Sequence, residues 1–177
     1  GFTHYLREDD PHAAEWLLTE DGRAFFEVAR RHRLIASIAC APWHIPALSA
    51  LADAFPEVPI LLHHLARFGP KARDNPDALA QVLSIARHPN MHVKVSGYGN
   101  VSGPEHEYPY PGVRWVVRAL YDAIGPWRLL WGSDYPVSRR YMTYRQTLDM
   151  VRRHHDGIPE EDVGIILGGA LDRLLSA

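Results

Sequence analysis

Imidazoles, hydroxyls and a carboxylate close several short apolar runs in this sequence, and these are the groups that activate water. His63 and His64 end "PILLHH", Ser96 and Tyr98 follow "MHVKV", and Ser133 and Asp134 end "RLLWGSD". An imidazole offers a lone pair to a metal or a proton to a leaving group, and a carboxylate ligates a metal or takes a proton from water. His64 and Asp134 thus supply both halves of a water-activating pair. Each also has a plain structural reading: Asp134 as a turn cap, and His64 as a buried imidazole bonded to a backbone carbonyl. Strand alternation predicts that His63 and His64 face opposite ways, so that only one of them acts. Ser96 and Tyr98 share a face. Arg139 and Arg140, just beyond Asp134, are either solvated or an anchor for an anionic substrate. His44 reads as a helix-start residue with a lesser claim on substrate, and His32, His88, His154 and His155 fall near helix ends, where imidazoles face water and complement the dipole.

The elements that must position these groups repeat. Apolar strand-like runs start at Gly1, Leu34, Pro59, Met91 and Arg128, and each is followed by a helical pattern. Ile45, Leu48, Leu51, Ala52 and Phe55 form one stripe. Asn75 and Pro76 cap and start a second, over Ala78, Leu79, Val82, Leu83 and Ala86. Val113, Val116, Val117, Leu120 and Ile124 form a third, closed by Gly125 and Pro126. Tyr144, Leu148 and Val151 follow, then Val163, Ile166, Leu167, Leu171, Leu174 and Leu175. Alternating strands and helices predict a parallel sheet in an α/β protein. The spacing matches a (β/α)₈ barrel, whose units take about 31 residues each. By that arithmetic the chain carries about five of eight βα units, ends with the eighth strand, and lacks three N-terminal units. The runner-up is an open doubly wound sheet, although no Gly-rich phosphate loop follows any strand. In a barrel, strand ends form the active rim, which gives His64 and Asp134 a shared rim with one strand between them. The irregular stretch from Gly97 to Pro111 reads as a substrate loop or lid with little to anchor it.

Composition narrows the partners. With 177 residues, 46% hydrophobic and 23% charged, the chain predicts one folded domain over 1–177. A net charge of -2 from mixed acids and bases gives no basic face for nucleic acid, so a small-molecule substrate is expected. Neither a signal peptide nor a membrane span is read. Cys40, the single cysteine, reads as a buried small hydrophobe and fits a reducing, cytoplasmic setting.

Five blocks carry a resemblance: "PALSALADAFPEVPILLHHLARFGP", "HVKVSGYGNVS", "RLLWGSDYPVS", "TYRQTLDMVRR" and "IILGGALDRLL". In this order they resemble the amidohydrolase-related metal-dependent hydrolases of TIM-barrel fold, in the branch of L-fuconolactonases, L-rhamnonolactonases and pyrone dicarboxylate lactonase. The resemblance implies hydrolysis of a sugar-acid or related carboxylated lactone. It places His64 on the family's active-site histidine and Asp134 on its general base, both also being metal ligands where a metal is bound. That metal is divalent, zinc first, with metal-independent catalysis as the alternative. Tyr98, Ser96, Arg139 and His63 are the expected substrate contacts. The sequence departs from the pattern in three places. The family's opening His-x-His pair is absent, His63 stands where the family has aspartate, and Ala170 stands where it has asparagine or threonine. Two other readings keep the fold: a metal-dependent decarboxylase of an unsaturated carboxylic acid, and an inactive partial barrel that pairs with a partner chain, as a homo-oligomer or with a missing N-terminal half.

Overall fold

The computed structural model describes residues 1–70, 75–103 and 107–176. Five strands form one sheet: β1 (Phe2–Tyr5), β2 (Ala36–Ala39), β3 (Ile60–Leu62), β4 (Met91–Val95) and β5 (Leu129–Trp131). All neighbouring pairs are parallel, and the strand order is the chain order. A doubly wound sheet reverses its order at a switch point, and none exists here, so the runner-up architecture is excluded. The chain winds in one direction, as successive units of a (β/α)₈ barrel do.

The helices follow from the apolar stripes. Between β1 and β2 lies α1 (Glu20–Arg31), started by Thr19, whose hydroxyl accepts from Gly22 N–H. After β2 comes α2 (Ile45–Ala54), which buries Ile45, Leu48, Leu51 and Ala52. After β3 comes α3 (Pro76–Leu83), started as expected by Asn75, whose side chain accepts from Ala78 N–H, with Pro76 in the first turn. Its stripe shifts near the end. A tight turn at Ser84–Arg87 buries Ile85 and leaves Ala86 exposed, because three residues per turn advance the face faster than 3.6. After β4 come a single helical turn, α4 (Tyr98–Ser102), and then α5 (Pro111–Ile124), which buries all five residues of its stripe. Each such side chain contributes about 1.5–3 kcal/mol by burial.

After β5, α6 (Tyr144–Arg152) turns Thr147, Met150 and Val151 inward, while Tyr144 is 49% exposed and does not join the stripe. The last segment runs from α7 (Glu160–Gly164) through one wide turn at Ile165–Gly169, where Ala170 N–H reaches back to Ile165 C=O, into α8 (Ala170–Leu175). The buried face keeps ordinary helical spacing through that turn, from Val163 and Ile166 to Ala170, and Leu171 and Leu175, each one position past it, stand exposed. One face of the sheet, including Ile38, Ile60, Leu62, Val93, Val95 and Leu129, packs on the helices. On the other face, Leu61 and Leu130 pack with Ala170, Leu174, Ile35 and Ile165.

Candidate active site

The polar groups gather where β3, β4 and β5 end. β3 stops at Leu62, and His64, Leu65, Ala66 and Arg67 then form a left-handed turn, with φ of 49°, 57°, 53° and 56°. No glycine eases it, and non-glycine residues resist this region by about 1–2 kcal/mol each. Burial and pairing on every side hold the turn. Leu65 and Ala66 are wholly buried, and Arg67 Nη2 pairs with Glu8 Oε1 at 2.7 Å. The turn also overrides strand alternation. His63 and His64 do not face opposite ways: their rings meet edge to face with centroids 5.4 Å apart, and both bond to groups on the inner side of β2 and β4.

His64 Nδ1 lies 2.9 Å from Ser96 Oγ, which fixes the ring and leaves Nε2 toward Asp134 Oδ1, 3.7 Å away. Gly97 makes room for this. Its φ is +66°, and a Cβ there would stand 2.5 Å from His64 Nδ1. Asp134 follows β5 with φ 53° and accepts from Asn100 Nδ2 at Oδ2, 3.1 Å away, while its backbone carbonyl accepts from Ser138 N–H. Burial holds the His64 imidazole below its ordinary pKa, Asp134 works against that shift, and Arg67 and Lys94 add to it.

A second cluster adjoins the first. His63 Nε2 is 2.6 Å from Ser37 Oγ and 3.3 Å from Lys94 Nζ. Burial first, then Lys94, pushes the His63 imidazole down to about 3, so it stays neutral. Lys94 and Asn100 belong to the site although sequence reasoning passed over both. The period-two pattern of "HVKVSG", with Val93 and Val95 on the helix face, puts Lys94 beside Ser96 on the inner face and was the available signal.

The expected substrate contacts separate here. Ser96 and His63 are buried within the site and bond to His64 and to Ser37 and Lys94. Tyr98 is 2% exposed, packed in the core and stacked with Tyr110, so its ring has a structural role. The same two buried rings anchor the stretch expected to be a loose lid; its residues 104–106 lie outside the described residues. Arg139 is exposed in the turn Val137–Arg140 after Asp134. His44 is structural, accepting from Ala41 N–H at Nδ1 and bonded through Nε2 to the Asp10 carbonyl. His88, expected in water, is buried against Asp53. Cys40 is buried, its thiol pushed up to about 12 by desolvation.

Two zinc ligands at 2.0–2.2 Å from one ion stand no more than about 4.4 Å apart, so His64 Nε2 and Asp134 Oδ1 can share a cation. Among the described residues no third His, Cys, Asp or Glu joins them in a metal-holding group. The pair therefore fits part of a divalent-metal site.

Known proteins resemble this chain in sequence and in fold. The chain is 39% identical over 113 residues to an L-fucono-1,5-lactonase from Burkholderia ambifaria, covering 61% of this chain and 37% of that protein. It is 31% identical over 106 residues to a 4-sulfomuconolactone hydrolase from Hydrogenophaga intermedia, covering 58% and 34%. The crystal structure of an amidohydrolase from Burkholderia multivorans with bound zinc superposes with a TM-score of 0.86 at 19% identity, over 99% of this chain and 64% of that one. The chain thus spans about a third of the length of the two lactone hydrolases and under two thirds of the solved barrel. With the amidohydrolase family model matching residues 2–174, the chain belongs to the amidohydrolase family and has the TIM-barrel fold of that family, here as five strand-helix units.

Proposed function

We propose that this chain carries the water-activating side of a lactone hydrolase. The observation that carries this reading is the approach of His64 Nε2 and Asp134 Oδ1 to 3.7 Å at the C-terminal ends of parallel strands. Asp134 takes a proton from water as the water oxygen bonds to the lactone carbonyl carbon. The carbonyl oxygen gains the negative charge, and His64, held by Ser96, faces the reacting group. The intermediate collapses with cleavage of the ring ester C–O bond, and the proton on Asp134 passes to the leaving alkoxide, giving a hydroxy acid. A divalent cation held by His64 and Asp134 would supply Lewis acidity and lower the pKa of a bound water. The substrate class, a sugar-acid or related carboxylated lactone, is supported by the two relatives acting on lactones. A buried free Cys40 suits the reducing cytoplasm. Among the described residues no helix is long and apolar enough to cross a membrane.

The test is Asp134→Asn. The amide can still accept from Asn100, and asparagine tolerates positive φ, so thermal unfolding should be unchanged. It cannot take the proton, so kcat on lactones should fall by roughly 10²-fold or more. Near-normal turnover would leave Asp134 as a turn residue and end this reading.

A further inference from the structure

Lys94 sits on β4, between the strands that carry His64 and Asp134. Its stem lies along Gly132, where a Cβ would stand 3.2 Å from Lys94 Cγ and Cδ. That is one reason the apolar run of β5 gives way to glycine before Asp134. The ammonium ends 3.3 Å from His63 Nε2, and Ser37 Oγ approaches the same nitrogen at 2.6 Å. An imidazole carries no negative charge, so His63 steers Lys94 without balancing its charge. Among the described residues no carboxylate stands within ion-pair distance of Lys94. The negative field of Asp134 nevertheless reaches it and opposes the effect of burial on its pKa. A half-buried cation therefore stands within the field of the Asp134 carboxylate without pairing with it. An ammonium partly stripped of water and left unpaired is costly, and the cost is relieved when negative charge arrives beside it.

We propose that Lys94 is a catalytic residue, donating an Nζ–H to the carbonyl oxygen of the bound lactone as that oxygen becomes an oxyanion. The proton stays on nitrogen and no further bond changes. His63 is the positioning residue that aims the ammonium, and Ser37 fixes His63. The inference rests on the hydrolase reading, and its test separates the two.

The variants are Lys94→Met, which keeps the stem against Gly132, and Lys94→Gln, which keeps a donor toward His63 and serves if the first fails to fold. The substrates are one neutral and one carboxylated lactone, and the probe is a cyclic phosphonate that mimics the anionic tetrahedral intermediate. Either variant should lower kcat about 10²–10³-fold on both lactones, with KM within about threefold, the size typical of a lost oxyanion donor. Phosphonate affinity should fall by a similar factor, and Lys94→Met should unfold at the same temperature as the parent or higher. Unchanged kcat overturns the proposal. So does an effect confined to KM for the carboxylated lactone, which would make Lys94 a ground-state anchor. If the parent chain hydrolyses neither lactone, the hydrolase reading fails on its own, and the phosphonate decides for Lys94. Binding lost in the variant supports the role; equal binding, or none to the parent, overturns it.

Discussion

Replacing Gly97 with alanine tests whether the site is as tightly built as its distances imply. Two costs are expected. The first is conformational: φ of +66° suits glycine, and a side chain there costs about 1 kcal/mol or a little more. The second is steric, since the new Cβ would stand 2.5 Å from His64 Nδ1 and 2.6 Å from His64 Cγ. Real Cβ atoms do not approach that closely, so the ring must move, and overpacking of this kind costs about 1–3 kcal/mol. The total of about 2–4 kcal/mol corresponds to a drop in Tm of roughly 5–15 °C for a chain of this size. Displacing the ring also breaks the Ser96 contact, so lactone turnover should fall with stability. Gly125→Ala is the control. Its φ of +72° and ψ of 171° lie in a region that glycine alone favours, at a cost of about 1–3 kcal/mol for a side chain, but nothing lies within 4 Å of the added Cβ, so no collision is added. That variant should lose about 2–12 °C and keep full turnover. Thermal unfolding and lactone hydrolysis, measured on both variants, separate strain from collision. Equal turnover in the two would refute the claim that His64 is pressed against Gly97.

Zinc added to the chain should be lost on dialysis against a mild chelator, because two donors, His64 and Asp134, hold an ion weakly; retention of stoichiometric zinc would contradict this. Stability should fall as pH drops below about 6.5. Burial keeps His63, His64 and His92 from taking protons when folded, whereas the unfolded chain takes them up freely. Each adds a slope of up to about 1.4 kcal/mol per pH unit between its unfolded and folded pKa values, so urea unfolding that is equally cooperative and equally placed at pH 7.5 and 5.0 would refute this.

Much of the fold was legible because the governing signals are local. The Asn75–Pro76 start of α3 and the full stripe of α5 depend on residues within a few turns of one another, and the structure keeps both. The failures lie where distant parts of the chain decide. Nothing in "HHLAR" favours a left-handed turn, which exists because Glu8, Ser96 and the surrounding core hold it, so the facing of His64 could not be read from alternation. Leu171 looked buried because it is apolar and adjoins the face of Val163, Ile166 and Ala170, but it lies at the edge of that face, where only the packing of distant elements decides burial. The strand-end position of Tyr98 was legible, while the packing of its ring on Tyr110 was not, because Tyr110 lies a loop away.

The turn at His64–Arg67 also bears on how such an enzyme is lost on heating. Four residues held against their preference represent about 4–8 kcal/mol, a sum comparable to the whole stability of many domains. Only the assembled surroundings can hold that much, so a loosened, partly packed state would let the turn relax and carry the His64 ring out of register with Asp134. A half-working form of the chain is therefore not expected. Inactivation and unfolding should trace a single curve with temperature, and residual turnover in a warmed sample should count the intact molecules in it.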